Sequence, residues 1–485
     1  MFQFKPLAAA VLAVISVQAM ADDSTSSQSQ SGNYNLADVI QSSASYSTAE
    51  QSQNGSQNGA AIWQSYTTST ATQTQKGSTN TGFIEQDSDW MSLTEQKQNG
   101  SGNDAASSQV FGTLESLSRQ VQRGPDNGAY TWQEGTLYNE AVIHQEGHAV
   151  GGNTANIDQI GGMDNVAHIR QEGDLNRAAT LQDGNALASQ IEVKQYGEGN
   201  DAYVEQMGGE DNYARTNQKG YNNYATTWQE NQYQSDASIR QDGSLSEAVI
   251  DQTDGAWNQA SVVQLGDENA VQVEQYDALG MRAEVFQSGI GNLGYVYQEG
   301  SDHILTASSR GNGNQIYAGT SLDPNNGGQY GSYQYASLRQ KGSDNVISMR
   351  QDGSDQTLDL SQRGNGNQAT VAQTDSYNEL YFEQEGSGNM LVVNQSGSYN
   401  YAGGTSSGTD NMVELDQSGS GNVAEVAQLY GDNNLASIVQ SDSGNYAIVT
   451  QGGSGNEAYV NQVNFGHTAY VSQFGTGNVA NVNQN

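Results

Sequence analysis

QYGEGNDAYVEQ, residues 195–206, is the stretch that decides the fold. From Asn200 onward its residues alternate. Asn200, Ala202, Val204 and Gln206 fall on one face, and Asp201, Tyr203 and Glu205 on the other. A period of two marks a half-buried strand. The Gly and small polar residues between Gln195 and Asn200 supply the left-handed backbone that a tight turn needs. One strand and one turn bury nothing alone, so the unit must stack on copies of itself.

Those copies are present. QSGIGNLGYVYQ (287–298), QKGSDNVISMRQ (340–351), QSGSGNVAEVAQ (417–428), QGGSGNEAYVNQ (451–462) and QFGTGNVANVNQ (473–484) repeat the pattern. Earlier ones start at QSGNYNLADVIQ (30–41) and continue through QNGSQNGAAIWQ (53–64) and QRGPDNGAYTWQ (122–133). From Gln195 the glutamine nodes advance by alternating steps of eleven and twelve, through Gln206, Gln218, Gln229, Gln241, Gln252, Gln264, Gln275, Gln287 and Gln298 to Arg310. Beyond Gln340 the step is mostly eleven, with Ser406 holding one node. A two-sided rung of about 23 residues explains the alternation, with one turn fixed and the other variable. The expected fold is an all-β solenoid of about twenty rungs, forming one cross-β-like rod on the order of 95 Å long.

The inward positions carry amides as well as Ala, Val and Ile. A buried amide without a partner costs roughly 1–3 kcal/mol, but copies stacked at about 4.8 Å can bond to one another in ladders. The expected ladder members are Gln195, Asn200, Gln206, Gln218, Asn223, Gln229, Gln264, Asn269, Gln275, Gln287, Asn292, Gln298, Gln417, Asn422, Gln428, Gln451, Asn456, Gln462, Gln473, Asn478 and Gln484. Gly197, Gly289, Gly419, Gly453 and Gly475 are the expected turn glycines.

Residues 1–21 read as a signal peptide, with Lys5, an apolar run from Leu7 to Val17, and Ala19-Met20-Ala21 as the cleavage site. Residues 22–29 form a short polar tail, and the solenoid is expected over 30–485. One loop insertion, GTSLDPNNGGQYG, falls near 319–331 and contains Pro324; Pro125 also falls in a turn, as an unbroken ladder requires. The chain has no cysteine, so no disulfide holds it. The repeats run to Gln484-Asn485 with no visible cap, and an uncapped rung is expected to dock the next copy.

The formal charge of −37 disfavours nucleic acid as a partner, and no stretch beyond the leader is apolar enough for membrane insertion. Asp201, Glu205, Glu274, Glu284, Glu425 and Glu457 are expected outward, as a solvated face or as gatekeepers that slow aggregation. Trp63, Trp132 and Trp228 precede node glutamines and also point outward. The five histidines lack metal-ligand spacing, GGMD (161–164) and GDNN (431–434) do not repeat a calcium pattern, and the GxGN runs lack the helix of a dinucleotide loop. No enzyme activity, cofactor or metal is expected.

The repeat resembles that of the curlins, the subunits of curli, a functional amyloid of biofilms. The family pattern S-x5-Q-x-G-x-G-N-x-A-x3-Q is similar to Gln195/Gly197/Gly199/Asn200/Ala202/Gln206, and to Gln417/Gly419/Gly421/Asn422/Ala424/Gln428. It is met again at Gln451/Gly453/Gly455/Asn456/Ala458/Gln462 and Gln473/Gly475/Gly477/Asn478/Ala480/Gln484. The chain is several times longer than a typical curlin. The resemblance implies a secreted subunit of a cell-surface fibre on a Gram-negative bacterium, self-assembling as a homopolymer in the biofilm matrix and in adhesion. It also implies a nucleator and an outer-membrane secretion pore as partners. The alternative is a monomeric β-solenoid adhesin; no Thr-x-Thr ladder or other regular ligand-matching row supports it.

Overall fold

The computed structural model describes residues 23–148, 151–319 and 327–485; the expected signal peptide lies outside them. The described chain is all-β. Its strands alternate between two sheets, one of 20 strands and one of 21, and every pairing is parallel. Strand Gln190–Glu198 of the first sheet pairs with Val166–Asp174 below and Tyr213–Tyr221 above, while the next strand, Asp201–Met207, pairs in the second sheet with Arg177–Asp183 and Tyr224–Tyr233. Each rung is therefore strand, corner, strand, corner, and about twenty rungs stack into a β-solenoid.

Register follows the repeat. Gln195 pairs with Gln171 and Gln218, and Gly197 with Gly173 and Gly220. Alternate residues point between the sheets: Ala202, Val204 and Gln206 are buried to within 1%. Each node glutamine reaches across to the opposite strand, as Gln195 Nε2 does to Arg177 O at 2.7 Å. The inward residue facing it is most often Ala, and other copies place Ile, Leu or Val there, as at Ile191, Leu391 and Val413. Ala and Val/Ile rows make an apolar core from Ala129 to Val471, in two sections.

Three features differ from the sequence reading. The first strand spans Thr25–Asn33, so pairing starts inside the expected tail. The insertion splits one strand in two: Gln315–Ala318 and Gly328–Ser332 both lie on Leu293–Ser301 below and Val346–Ser354 above. Residues 328–331 are thus strand, and Gln329 takes the node between Gln298 and Gln351. The node expected at Arg310 is Ser309, which is buried in register with Gln287 and Gln340, while Arg310 points outward.

The corner glycines are fixed by contact as well as conformation. Gly197 has φ +108°, and a Cβ there would stand 2.1 Å from the carbonyl oxygen of Gly220 on the next rung. Gly289, Gly419 and Gly453 make the same approach, at 2.0, 1.9 and 2.0 Å. Gly475, on the outermost described rung, has no such neighbour. Gly197→Ala should therefore cost more than about 3 kcal/mol in urea unfolding. Gly59→Ala, where a Cβ meets nothing within 4 Å, should change stability by less than about 1 kcal/mol.

Candidate functional site: amide ladders between rungs

The second sheet carries an unbroken glutamine ladder from Gln41 to Gln484. Each Nε2 donates to the Oε1 one rung on: Gln182 to Gln206 at 2.9 Å, Gln206 to Gln229 at 2.9 Å, Gln275 to Gln298 at 2.8 Å, Gln298 to Gln329 at 2.8 Å, Gln417 to Gln440 at 2.9 Å and Gln462 to Gln484 at 2.8 Å. The remaining N–H of Gln206 reaches backbone carbonyls at Gln190 and Asn212. Gln195, Gln218, Gln264, Gln287, Gln428, Gln451 and Gln473 belong to the matching ladder of the first sheet, as in Gln195 to Gln218 at 2.9 Å and Gln451 to Gln473 at 3.0 Å. Nodes adjacent in sequence are therefore never adjacent in a ladder.

The asparagines form columns at the corners, and their bonds run the other way. Asn200 Nδ2 donates back to Asn176 Oδ1 at 3.0 Å, and Asn223 to Asn200 at 2.9 Å. Asn269, Asn292, Asn456 and Asn478 stand in the same column, while Asn422 belongs to the opposite corner, with Asn400 below and Asn445 above. The corner amide also holds the backbone: Asn200 Nδ2 reaches Gly220 O, and Asn176 Oδ1 accepts the Asn200 N–H. Every rung is consequently polar along the rod, with glutamine donors on one side and glutamine acceptors on the other.

A third row lies outside the expected set. In the first rungs Gln28, Gln51, Gln73, Gln96 and Gln120 form a second glutamine ladder two residues before the nodes. Later copies place mostly apolar residues there, as at Ile143, Val193 and Leu338. The Q-x-Q doublets at 51–53, 73–75, 96–98 and 120–122 are its sequence signal. Beside it the core turns polar: Ser107, Ser118 and Thr131 hydroxyls join at 2.6–2.9 Å.

The first-sheet ladder has two gaps, at Ser309 and Ser406. Each serine donates onward, Ser406 Oγ to Gln428 Oε1 at 2.8 Å, but offers no amide to the glutamine below. Two groups buried on the inside have shifted titrations. His303 fills a corner-amide place; its Nδ1 accepts from Gln334 N, and burial lowers its pKa from 6.5 to about 4. Asp89, bonded by the Thr67 hydroxyl, is pushed up to about 6 by burial. On the outside, Glu205 and Glu274 point outward as expected but are buried, covered by Tyr203 and Gln272, which bond to them.

Ser406→Gln should close one gap and stabilise the rod by about 1 kcal/mol, read as a higher urea midpoint. His303 is neutral when folded, so its contribution is complete above about pH 6.5 and is lost as pH falls through about 4, up to about 3 kcal/mol. His303→Asn should remove that part of the acid destabilisation between pH 7 and pH 4.

The most evenly spaced rungs are also those a family model recognises. The curlin-associated repeat matches residues 353–397, 408–441 and 431–463. No curated protein matches the chain. The matched spans lie in the C-terminal part of the chain, and the register of these rungs continues into the rungs before them, so the chain is a β-solenoid whose C-terminal rungs carry the curlin-associated repeat.

Proposed function

We propose that the chain is a secreted structural subunit of an extracellular, curli-like amyloid fibre, assembling by end-to-end strand addition for the biofilm matrix and surface adhesion. The observation that carries this reading is the polarity of the ladders. Because the node glutamines of the ladders donate in one direction and corner asparagines such as Asn200 and Asn223 in the other, the upper side of a rung complements the lower side of a like rung, including one on another copy. Among the described residues, Gln484 Oε1 accepts from Gln462, and its Nε2 reaches only Thr468 O at 3.0 Å. Gln41 donates to Gln64 at the other end, leaving its own acceptor oxygen toward the exposed edge strand. A copy added there would extend both sheets, both glutamine ladders and the corner column that runs from Asn35 to Asn478 in register, which is strand addition with side-chain selectivity.

Incubation of the purified chain tests this. Fibrils that bind amyloid dye and diffract at about 4.7–4.8 Å along the fibre axis, forming faster as salt screens the −37 charge, are expected. A chain that stays monomeric at high concentration with seeds and salt overturns the reading in favour of a monomeric adhesin.

A further inference from the structure

The two outer faces differ sharply in charge. Strands of the first sheet hold 14 Lys and Arg against 17 Asp and Glu, a net −3, whereas those of the second hold 2 against 21, a net −19. The first face neutralises itself: Lys194 and Arg215 both meet Glu192, and Arg339 meets Asp359. On the second face Arg177 and Arg350 are the only bases, and Arg350 pairs with Asp352 within its own strand. The excess carboxylates are spread out along this face: Asp251 and Glu274 meet in register, while most others have uncharged outward residues as register partners, as Glu205 has Trp228 and Asp416 has Asn394.

The second face is also where outward tryptophans stand, interleaved with carboxylates. Glu205, Trp228 and Asp251 are register partners on three successive rungs, and Trp132 and Asp158 on two. Neighbouring phenols hold carboxylates in place: Tyr203 covers the buried Glu205 and donates to it, while Tyr276 donates at 2.7 Å to Asp251, which remains partly exposed. Trp228 and Trp132 remain 39% and 37% exposed, so their ring surface is open.

We propose that this acidic, aromatic face binds a linear amino-sugar polymer with free ammonium groups. Carboxylates pair with the ammonium groups, and the indole and phenol faces take the apolar faces of the sugar rings, with a cation–π contribution where an ammonium lies over a ring. Spacing favours this occupant over a basic peptide. A pyranose residue is about as long as a rung is high, and in a β-1,4-linked chain alternate residues turn the same edge to one side, so ammonium groups facing the rod recur on every second rung, as carboxylates do on either side of Trp228. An extended peptide sets its same-face side chains about 6.6–6.8 Å apart, out of step with a repeat of about 4.8 Å. The site lies on the side of the rod, so it is independent of end-to-end assembly and exists on a single copy.

The test is titration of the intact chain with a chitosan hexamer, its fully N-acetylated counterpart and a lysine hexamer. The chitosan hexamer is expected to bind, to weaken as salt rises, and to exceed both others by about tenfold or more. Trp228→Ala should weaken it about fivefold, and Asp251→Asn should lower its salt dependence. Glu383→Gln, on the first face, should leave binding unchanged. Equal binding of the N-acetylated sugar, equal binding of the lysine hexamer, or an equal loss with Glu383→Gln would each overturn the proposal.

Discussion

A primary amide buried in a protein must find partners, and here its side-chain partner is the same amide one rung away, with backbone carbonyls taking the rest. That constraint organises the whole stack. Shifting any strand by one residue would turn its glutamine to solvent and strand the amides above and below, each at roughly 1–3 kcal/mol. Apolar rows alone would tolerate more slippage, because Ala, Val and Ile ask for volume and not direction. The ladders convert a generic two-sheet core into one with a single register and a single polarity.

The rest of the rung follows from it. A glutamine that reaches across the core packs against the inward residue opposite, which is Ala in most copies, as at Ala202, and Ile, Leu or Val in others, as at Ile347 and Leu391. A corner asparagine that bonds backbone two ways brings successive corners so close that a carbonyl occupies the place of a glycine Cβ, as Gly220 O does at Gly197. Inward positions being committed, variation is pushed outward, where the two faces are free to differ. One face balances its charges and the other accumulates carboxylates around aromatic rings.

The strand period, the two-sided rung and the inward set were legible because each is written many times over in the sequence. What escaped were singular events. Ser309 could not be told from Arg310 as a node without knowing which side chain faces in, since only the glutamine marks the place. The split strand hid Gln329 because nine extra residues separate it from Ala318, where its neighbours Val296 and Gln298 are two apart. The sequence put Asn200 and Asn422 in one set of ladder residues, because both corners use the same residues and only the pairing sorts them into two columns. The buried Glu205 and Glu274 depend on which neighbour leans over them, a matter of rotamers and not of pattern.

The central claim is that the node amides lie inside the rod, each bonded to the next. Side-chain amide exchange in heavy water, followed by nuclear magnetic resonance on chain labelled at glutamine and asparagine nitrogen, measures that directly. Node amides such as those of Gln206 and Asn200 should stay protonated far longer than exposed amides such as that of Asn461. Node amides exchanging as fast as free glutamine would contradict the account.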